Sequence, residues 1–506
     1  MSYLLGIDLG TSSLKAALFD AERAQIVAVT SEEYAVQHPT LNAAEQSPEA
    51  WWEAACRTVR RLTQSVDPSQ VRAIGLSGQM HGTVLLDAAA RPLRPAIIWA
   101  DGRSSDQVER LLTLFSEADW LESAGTLPAT GFMAATLMWL AQHEPETLER
   151  AQHVLLPKDY LRLRLTGELG SEPSDAASTA LLDIRASCWS ERLIAGLGLP
   201  RRLFPPLHGS AEVVGTLRAQ SAEALGLPEG VPVVAGCADQ AAQALANNIL
   251  ARGTASVTLG SGGQVFVPHV LSAHGTLATD ARVHVFNHAA PQRWYVLGAI
   301  LSAGLSLRWL RNLLGWADDP SAYERLSAAA QSVPRGAAGL VFLPYLLGER
   351  TPLRDPKARG VFIGLSYQHT VAHMARAVME GVAFALRQAL EVSFELAGRA
   401  ESVVLAGGGA QSAVWRHIQA DIYGIPLRPS LLQEQACVGA ALLAGVGCGL
   451  YTNLAEACAA AVRLGDLIAP NPSNQAYYEA RYAHFKALYT RLQQDMHQLA
   501  DDASSL

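Results

Sequence analysis

Near the start of the 506-residue chain a carboxylate is followed at once by a glycine and a run of hydroxyl side chains. Asp8 ends a short apolar stretch, Gly10 permits a tight turn, and Thr11, Ser12, Ser13 and Lys15 come next. A carboxylate fixed at a strand end, beside backbone N–H groups and small hydroxyls, suits a polyphosphate. The carboxylate can then hold Mg2+ directly or through water. The layout differs from a P-loop, in which a glycine-rich turn opens directly onto a helix through Lys-Ser/Thr. Gly-Thr-Ser turns also occur as plain hairpins, so this stretch alone leaves both readings open.

Other polar groups also follow apolar runs. Met80 and His81 come after residues 71–76, and Asp101 and Arg103 come after 97–99, which end in Trp99. Asp239 and Gln240 close the run 233–238; Gly407 and Gly408 close 403–406, with Gln411 and Ser412 behind them. In α/β folds, sites lie where strands end. The stretch Thr258-Leu-Gly-Ser-Gly-Gly263 aligns with Asp8 to Ser13, with Thr258 replacing the aspartate and Gly260 and Ser261 in the turn. A repeated turn near the start of each half suggests two related domains facing one nucleotide. Chance similarity of two short Gly/Ser turns is the plainer alternative.

The elements that must position these groups can be read from pattern. Residues 4–9 and 14–19 read as a hairpin across the first turn. Residues 48–62 read as a helix with Ser47 as N-cap and Pro48 at its first position. Residues 71–76 and 97–99 read as strands, a Pro-rich stretch fills 203–232, and a helix follows Ser412 through Trp415 and Ile418. Residues 436–446, small and apolar, suit a buried packing helix, and 474–499 a terminal one.

Length calls for two or more domains. A hydrophobic fraction of 49% with 17% charged residues describes a folded globular chain. The net charge of −8 gives no case for nucleic acid or an anionic membrane as partner, so a polyanion needs backbone donors and a metal. With no signal-peptide pattern and no apolar run near the ~20 residues of a spanning helix, a cytoplasmic protein is expected. The six cysteines lack any Cys-x-x-Cys pair and read as reduced thiols. Neither they nor His81 have zinc spacing.

Taken in order, these motifs resemble the FGGY carbohydrate kinases from about residue 4 to about residue 450. The most specific piece is Gly360-Val-Phe-Ile-Gly-Leu365, followed seven residues later by His373-Met-Ala-Arg-Ala-Val-Met-Glu380. Within that family, four segments are similar to its xylulose-kinase branch: 77–82, 99–103, 157–161 and 342–352. One departure stands out: Thr136 precedes Leu137-Met-Trp139 where the family signature has Lys, and Met133 stands where Ser, Thr or Pro is usual.

The resemblance implies an α/β protein of two actin-like, ribonuclease-H-like ATPase domains with the active site in the cleft between them. Residues 1–246 would bind sugar and carry the base, 247–480 would bind nucleotide, and 481–506 would form a C-terminal helix. ATP and Mg2+ are the implied cofactors, and a sugar the implied partner; a homodimer is compatible with it, although no interface signature is visible.

A sugar hydroxyl must lose its proton as phosphorus is attacked, and Asp239 is the base that position and resemblance select. Capping the helix at 240–245 is its structural alternative, and the two roles are compatible. Asp8, with Asp239, is expected at the metal, and Asp8 is grouped with it as catalytic. Met80, His81, Trp99, Asp101, Arg103, Asp239 and Gln240 form the expected sugar set; Trp99 as core and an Arg103–Asp101 pair are the alternatives. Gly10, Thr11, Ser12, Ser13, Lys15, Gly260 and Ser261 are expected at the phosphates, with a solvated strand lysine the alternative for Lys15. Gly407, Gly408, Gln411 and Ser412 are expected at the adenosine end. The implied reaction is conversion of D-xylulose to D-xylulose 5-phosphate. Its rivals are another substrate (ribulose, gluconate, fructose, glycerol), a non-kinase actin-like ATPase and a silent sugar sensor. A Rossmann dehydrogenase is excluded, since Gly407-Gly-Gly lacks the required spacing.

Overall fold

The computed structural model describes residues 2–504; position 1 and the last two positions of the 481–506 segment lie outside the described residues. The first sheet contains strands β1 (Tyr3–Leu9), β2 (Ser13–Asp20), β3 (Gln25–Glu33), β4 (Val71–Gly78), β5 (Val213–Thr216), β6 (Pro232–Val234) and β7 (Cys237–Ala238). Its order is β5-β6-β4-β1-β2-β3, with β7 also paired to β4. β1, β2 and β3 are antiparallel neighbours, whereas β4 runs parallel to β1 and β6 parallel to β4.

The second sheet contains β8 (Thr254–Leu259), β9 (Gly263–His269), β10 (His284–Asn287), β11 (Trp294–Ile300), β12 (Ser402–Ala406) and β13 (Leu427–Pro429), in the order β10-β11-β9-β8-β12-β13. β8 pairs antiparallel with β9, β9 with β11, and β8 parallel with β12. The path β3-β2-β1-β4-β6 therefore repeats as β11-β9-β8-β12-β13. The two glycine turns fall at the same place in each copy, between Leu9 and Leu14 and between Leu259 and Gly263.

Local signals explain the flanking helices. Helix α1 (Pro48–Thr63) starts with the Ser47 side chain accepting from the Ala50 N–H, carries Glu49 in its first turn and ends on Arg60 and Arg61. Cap and charges all complement the helix dipole. Helix α2 (Asp239–Ala246) leaves β7, and α3 (Val371–Ala397) packs beneath the second sheet.

Helix α4 (Gln435–Gly447) lies late in the chain yet packs on β1 and β4 of the first sheet and on α2. Glycine makes this possible. A Cβ on Gly6 would lie 1.9 Å from the Cys437 carbonyl oxygen, one on Gly75 1.9 Å from that of Ala440, and one on Gly439 2.0 Å from that of Ala242. Gly6, two residues before Asp8, thus serves helix packing. Helix α5 (Pro472–Ser504) runs unbroken through residue 481.

The first region also covers the edge of the second sheet. Val285 N donates to the Gly125 carbonyl at 2.9 Å, and the indole of Trp294 donates to that of Ile184 at 2.7 Å. The first of these occupies an edge-strand N–H that an open edge would expose. Among the described residues, no helix is long and apolar enough to cross a membrane.

Candidate active site

Two carboxylates stand at neighbouring strand ends of the first sheet. Asp8, on β1, lies opposite Lys15 of β2 and beside Ser77 of β4, whose hydroxyl donates to Asp8 Oδ1 at 3.1 Å. Asp239 follows β7, which is parallel to the end of β4. Gly236, at φ +84°, divides the run 233–238 into the two short strands β6 and β7. Ala238 occupies the N-cap position and Asp239 begins the helix without a side-chain cap bond, which sets the capping role aside.

Both carboxyls are held above the usual range. Burial raises the pKa of Asp239 to about 7, Asp8's negative charge adds to the rise, and Gln240 offsets it in part. Burial likewise raises Asp8 to about 6, against the Ser77 hydrogen bond and the charge of Lys15. Both side chains remain partly open, and among the described residues Asp239 Oδ1 has no hydrogen-bond partner.

His81 sits in the turn after β4 with φ +72°. Its backbone N–H donates to Ser178 Oγ at 3.0 Å, and its Nδ1 lies 2.6 Å from the Ser178 carbonyl oxygen. A carbonyl only accepts, so Nδ1 carries the hydrogen. Burial lowers the His81 pKa to about 3. The ring is therefore neutral, and Nε2 offers a lone pair. Phe132 stacks on it at 4.0 Å, and Phe286 of β10 meets its edge at 6.3 Å. Met80 is buried beside it in the core.

Sequence reasoning missed the segment that joins His81 to Asp239. Ser178 holds His81, while Ser174 Oγ accepts from Ala238 N at 3.1 Å. Beneath this segment lies a fully buried cluster of Lys158, Asp159, Arg162, Glu172 and Asp175. Lys158 Nζ is 2.7 Å from Asp159 and 3.3 Å from Asp175. Burial alone would lower the lysine pKa, but the surrounding carboxylates reverse that and raise it. Asp175 is pushed well above the carboxylate range by burial, with Asp159 and Glu172 adding to the effect. Residues 157–161 had pointed to Lys158 and Asp159; their acidic partners more than ten positions on carried no pattern in the chain.

Several expected site residues are committed elsewhere. Asp101 is buried, takes the Arg103 guanidinium at 2.8 Å and accepts from Ala44 N at 2.7 Å. Arg103 also pairs with Glu45 at 2.7 Å and covers the Trp139 ring. The Arg103–Asp101 pairing weighed as the alternative is therefore present, tied to Glu45 and to the backbone at Ala44. Lys15 binds Glu434 at 2.8 Å, which ties the phosphate turn to the start of α4. Thr11 is held by the Trp99 indole at 2.8 Å and by Gln79, leaving Ser12 and Ser13 as the open hydroxyls of the turn. Trp99 is 40% exposed, which rules out a core role. The strand expected over 97–99 shrinks to Ala96–Ile97. Thr136, where the family signature has lysine, is buried in the helix Met133–His143.

The second sheet bears a cavity of about 760 Å³ at the equivalent turn. Gly260, Ser261, Gly408, Gln411 and Ser412 line it; Gly407 does not. Gly407 instead takes φ +80° against the Leu259 carbonyl, where a Cβ would lie 2.5 Å away, so it shapes the floor. Arg308 and Gly304 of the helix Gly304–Leu313, and Tyr323 and Glu324 of Ala322–Gln331, complete the wall and carried no sequence motif. Arg308 Nη2 donates to Ser261 Oγ at 3.1 Å, placing a cation on the turn. Gly10, Thr11, Ser12, Ser13 and Lys15 are not part of this wall.

A duplicated sheet, a carboxylate pair on one copy and a cavity on the other define a two-domain kinase of small hydroxylated substrates. Residues 3–246 match the N-terminal domain of the FGGY family of carbohydrate kinases and residues 255–448 its C-terminal domain, so the chain belongs to that family. It is 39% identical to a xylulose kinase of Escherichia coli K12 over 96% of this chain and 99% of the relative. A xylulose kinase of Bacillus subtilis 168 is 35% identical over 97% of each chain. The crystal structure of xylulose kinase from Rhodospirillum rubrum superposes with a TM-score of 0.89 at 32% identity, covering 98% of this chain and all of that one. The chain is a carbohydrate kinase, with ATP and a sugar as the substrates that the family implies.

Proposed function

We propose that the protein transfers the γ-phosphoryl group of ATP to D-xylulose, giving D-xylulose 5-phosphate and ADP. The observation that carries this reading is the Asp8–Asp239 pair, set beside neutral His81 and joined to it by one buried segment. Similarity to xylulose kinases over nearly the whole chain supports the choice of sugar.

Asp239 accepts the proton of the sugar hydroxyl as that oxygen bonds to the γ-phosphorus; the bond from phosphorus to the ADP oxygen breaks, and ADP leaves. A base with a pKa of about 7 is half-ionised at neutral pH and strong enough to receive the proton. His81 Nε2 accepts a hydrogen bond from a sugar hydroxyl, and Met80 gives an apolar wall. Ser12 and Ser13, with the N–H groups of both glycine turns, hold phosphate oxygens. The cavity of the second sheet takes the nucleoside, with Gly408 and Ser412 at its mouth.

Two partly open carboxylates, one with an unpartnered oxygen, fit a magnesium ion that takes its other oxygens from phosphate and water. Such an ion neutralises charge on the transferring phosphate. A phosphoryl donor open to water would be hydrolysed, so closure of the two sheets over the ligands belongs to the cycle. A cytoplasmic location follows from the substrates.

ADP release with Mg·ATP, measured with and without millimolar D-xylulose, tests this reading. Xylulose-dependent release supports it. Release with ribulose, gluconate, fructose or glycerol alone reassigns the sugar, and sugar-blind turnover overturns the kinase reaction.

A further inference from the structure

The glycine turn of the second sheet carries a cation to which proton transfer and metal binding give no role. Arg308 stands on the helix Gly304–Leu313 and lines the cavity of about 760 Å³ together with Gly260 and Ser261. Three backbone bonds fasten the start of that helix to the turn. Ala303 N and Leu305 N donate to the Ser261 carbonyl at 2.9 and 3.0 Å, and Gly304 N to that of Gly260 at 3.0 Å. A Cβ on Gly304 would lie 2.5 Å from the Gly260 carbonyl oxygen, so only glycine allows this approach. The N–H groups that begin the helix are therefore committed to the turn, and the Arg308 side chain, one helical turn on, supplies the positive charge.

The guanidinium reaches back over the turn. Its Nη2 donates to Ser261 Oγ at 3.1 Å. A hydroxyl that accepts from arginine keeps its own hydrogen to donate, so the pair offers the cavity both a cation and an O–H. Among the described residues this is the one hydrogen bond of the Arg308 side chain, which forms no ion pair. Lys15 of the first turn, by contrast, is ion-paired with Glu434 at 2.8 Å.

The cavity has a direction. Tyr323 lies beneath the Arg311 guanidinium at 5.2 Å, and Arg311 is almost one helical turn farther from the glycine turn than Arg308. Glu324, the carboxylate of the same wall, is next to Tyr323 in the chain and does not pair with Arg308. A nucleotide entering this space sets its phosphates along Gly260, Ser261 and Arg308 and its nucleoside toward Tyr323, because a phosphate avoids the carboxylate and seeks the cation. The two turns thus carry opposite charge. Asp8 beside the first needs a metal before a phosphate can approach it; the second has Thr258 in place of the aspartate, and Arg308 meets a phosphate directly.

We propose that Arg308, with Ser261, holds the α- and β-phosphate oxygens of the nucleotide and takes up the charge that ADP gains on leaving. This rests on the ATP-dependent reaction above and deepens it. As the sugar oxygen bonds to the γ-phosphorus, the bond from that phosphorus to the β–γ bridging oxygen breaks, and its electron pair stays on that oxygen. Negative charge therefore grows on the β-phosphate, where the planar fork of Arg308 donates paired hydrogen bonds.

The test titrates the full chain and its Arg308→Met and Arg308→Lys variants with ADP and with adenosine, in EDTA and without sugar. Chelation removes the metal, so that only the protein's own groups read the phosphates. For Arg308→Met the ADP Kd rises about 10- to 100-fold, the range expected for lost charge-assisted hydrogen bonds, while the adenosine Kd stays within about twofold. Arg308→Lys keeps the charge but loses the fork, and lies between wild type and Arg308→Met. Ser261→Ala costs less, and adds little when combined with Arg308→Met, since the two groups act as one unit. In turnover with Mg·ATP, Arg308→Met lowers kcat as well as raising the ATP KM, and keeps the D-xylulose KM. An unchanged ADP Kd in a variant with the wild-type melting temperature overturns the proposal, as does an equal loss of ADP and adenosine, which marks a damaged cavity. Because the titrations contain no sugar, activity on a sugar other than D-xylulose reassigns that substrate and leaves this result standing. A wild-type chain that binds no ADP, with or without Mg2+, overturns the kinase reaction and the role of Arg308 together.

Discussion

The glycine turns of the two sheets share one topology and differ in what stands at the strand ends. In the first sheet, Asp8 and Asp239 bring carboxylates whose pKa values burial raises to about 6 and about 7. In the second, Thr258 replaces the aspartate and Ala406 lies beside it on β12. The turn there opens into a cavity lined, among the described residues, by one cation, Arg308, and one carboxylate, Glu324 of a separate helix. In the proposed reaction one copy of the scaffold is the acid–base side and the other the nucleotide side. A sheet with its glycine turn supplies the frame; a single side chain at the end of a central strand decides the chemistry.

The largest test of that contrast is Asp239→Asn. Phosphoryl transfer to sugar should fall by about 10²- to 10⁴-fold in a coupled ADP assay, with the fold and sugar affinity kept. Near-normal turnover would remove Asp239 from the role of base. Next comes the matched pair Asp8→Asn and Thr258→Ala. Loss on the order of 100-fold is expected for the first, through a weakened metal and phosphate site, against less than about threefold for the second. Equal losses would mean that the two turns do the same work.

Gly408→Leu probes the other side. A Cβ at Gly408 meets nothing within 4 Å, so the fold should be unaffected, while the larger side chain enters the space proposed for the nucleoside. Steric cost of about 1–3 kcal/mol predicts an ATP KM raised roughly 10- to 100-fold with the sugar KM unchanged. A variant with normal ATP KM would move the nucleoside out of this cavity.

Asymmetry should also appear in pH dependence. Asp239 must be ionised to act, so kcat/KM falls as pH drops through about 7, and the limb disappears in Asp239→Asn. For stability the sign is opposite. Both folded-state pKa values lie above their unfolded ones, so between about pH 4 and 7 the native state holds more protons than the unfolded chain. Stability therefore falls as pH rises through this window, and the cost is complete above about 7. Denaturant melts at pH 5 and 8 should show Asp239→Asn gaining on wild type at both, with the gain larger at pH 8 by on the order of 1 to 3 kcal/mol. The smallest effect belongs to Lys15→Ala, which removes the partly exposed pair with Glu434 and should cost no more than about 1 kcal/mol in the same melts. A large rise in ATP KM for Lys15→Ala would return that lysine to the phosphates.

Much of the frame was legible in the chain. The hairpin around Gly10, its echo at Gly260, the Ser47 cap and the buried helix 436–446 are written in contiguous residues, where turn chemistry and apolar period act locally. The partners of charged side chains were not legible. Lys15 and Glu434 are 419 positions apart. Asp101 and Arg103 read as candidate sugar ligands because they follow an apolar run, yet that run folds inward onto Glu45 and Ala44. Asp175 and Ser178 sit in an unremarkable stretch that gains meaning only where it touches Lys158, Ala238 and His81.

The sequence by itself determined where the glycine turns fall, which helices carry clear caps or apolar faces, and that two similar units follow one another. These depend on backbone propensity and apolar pattern within a few residues. Only the tertiary structure decided which polar groups stay open to a ligand and which are spent on the protein. That choice depends on burial and on partners brought together from distant parts of the chain, and so on packing that no local pattern records.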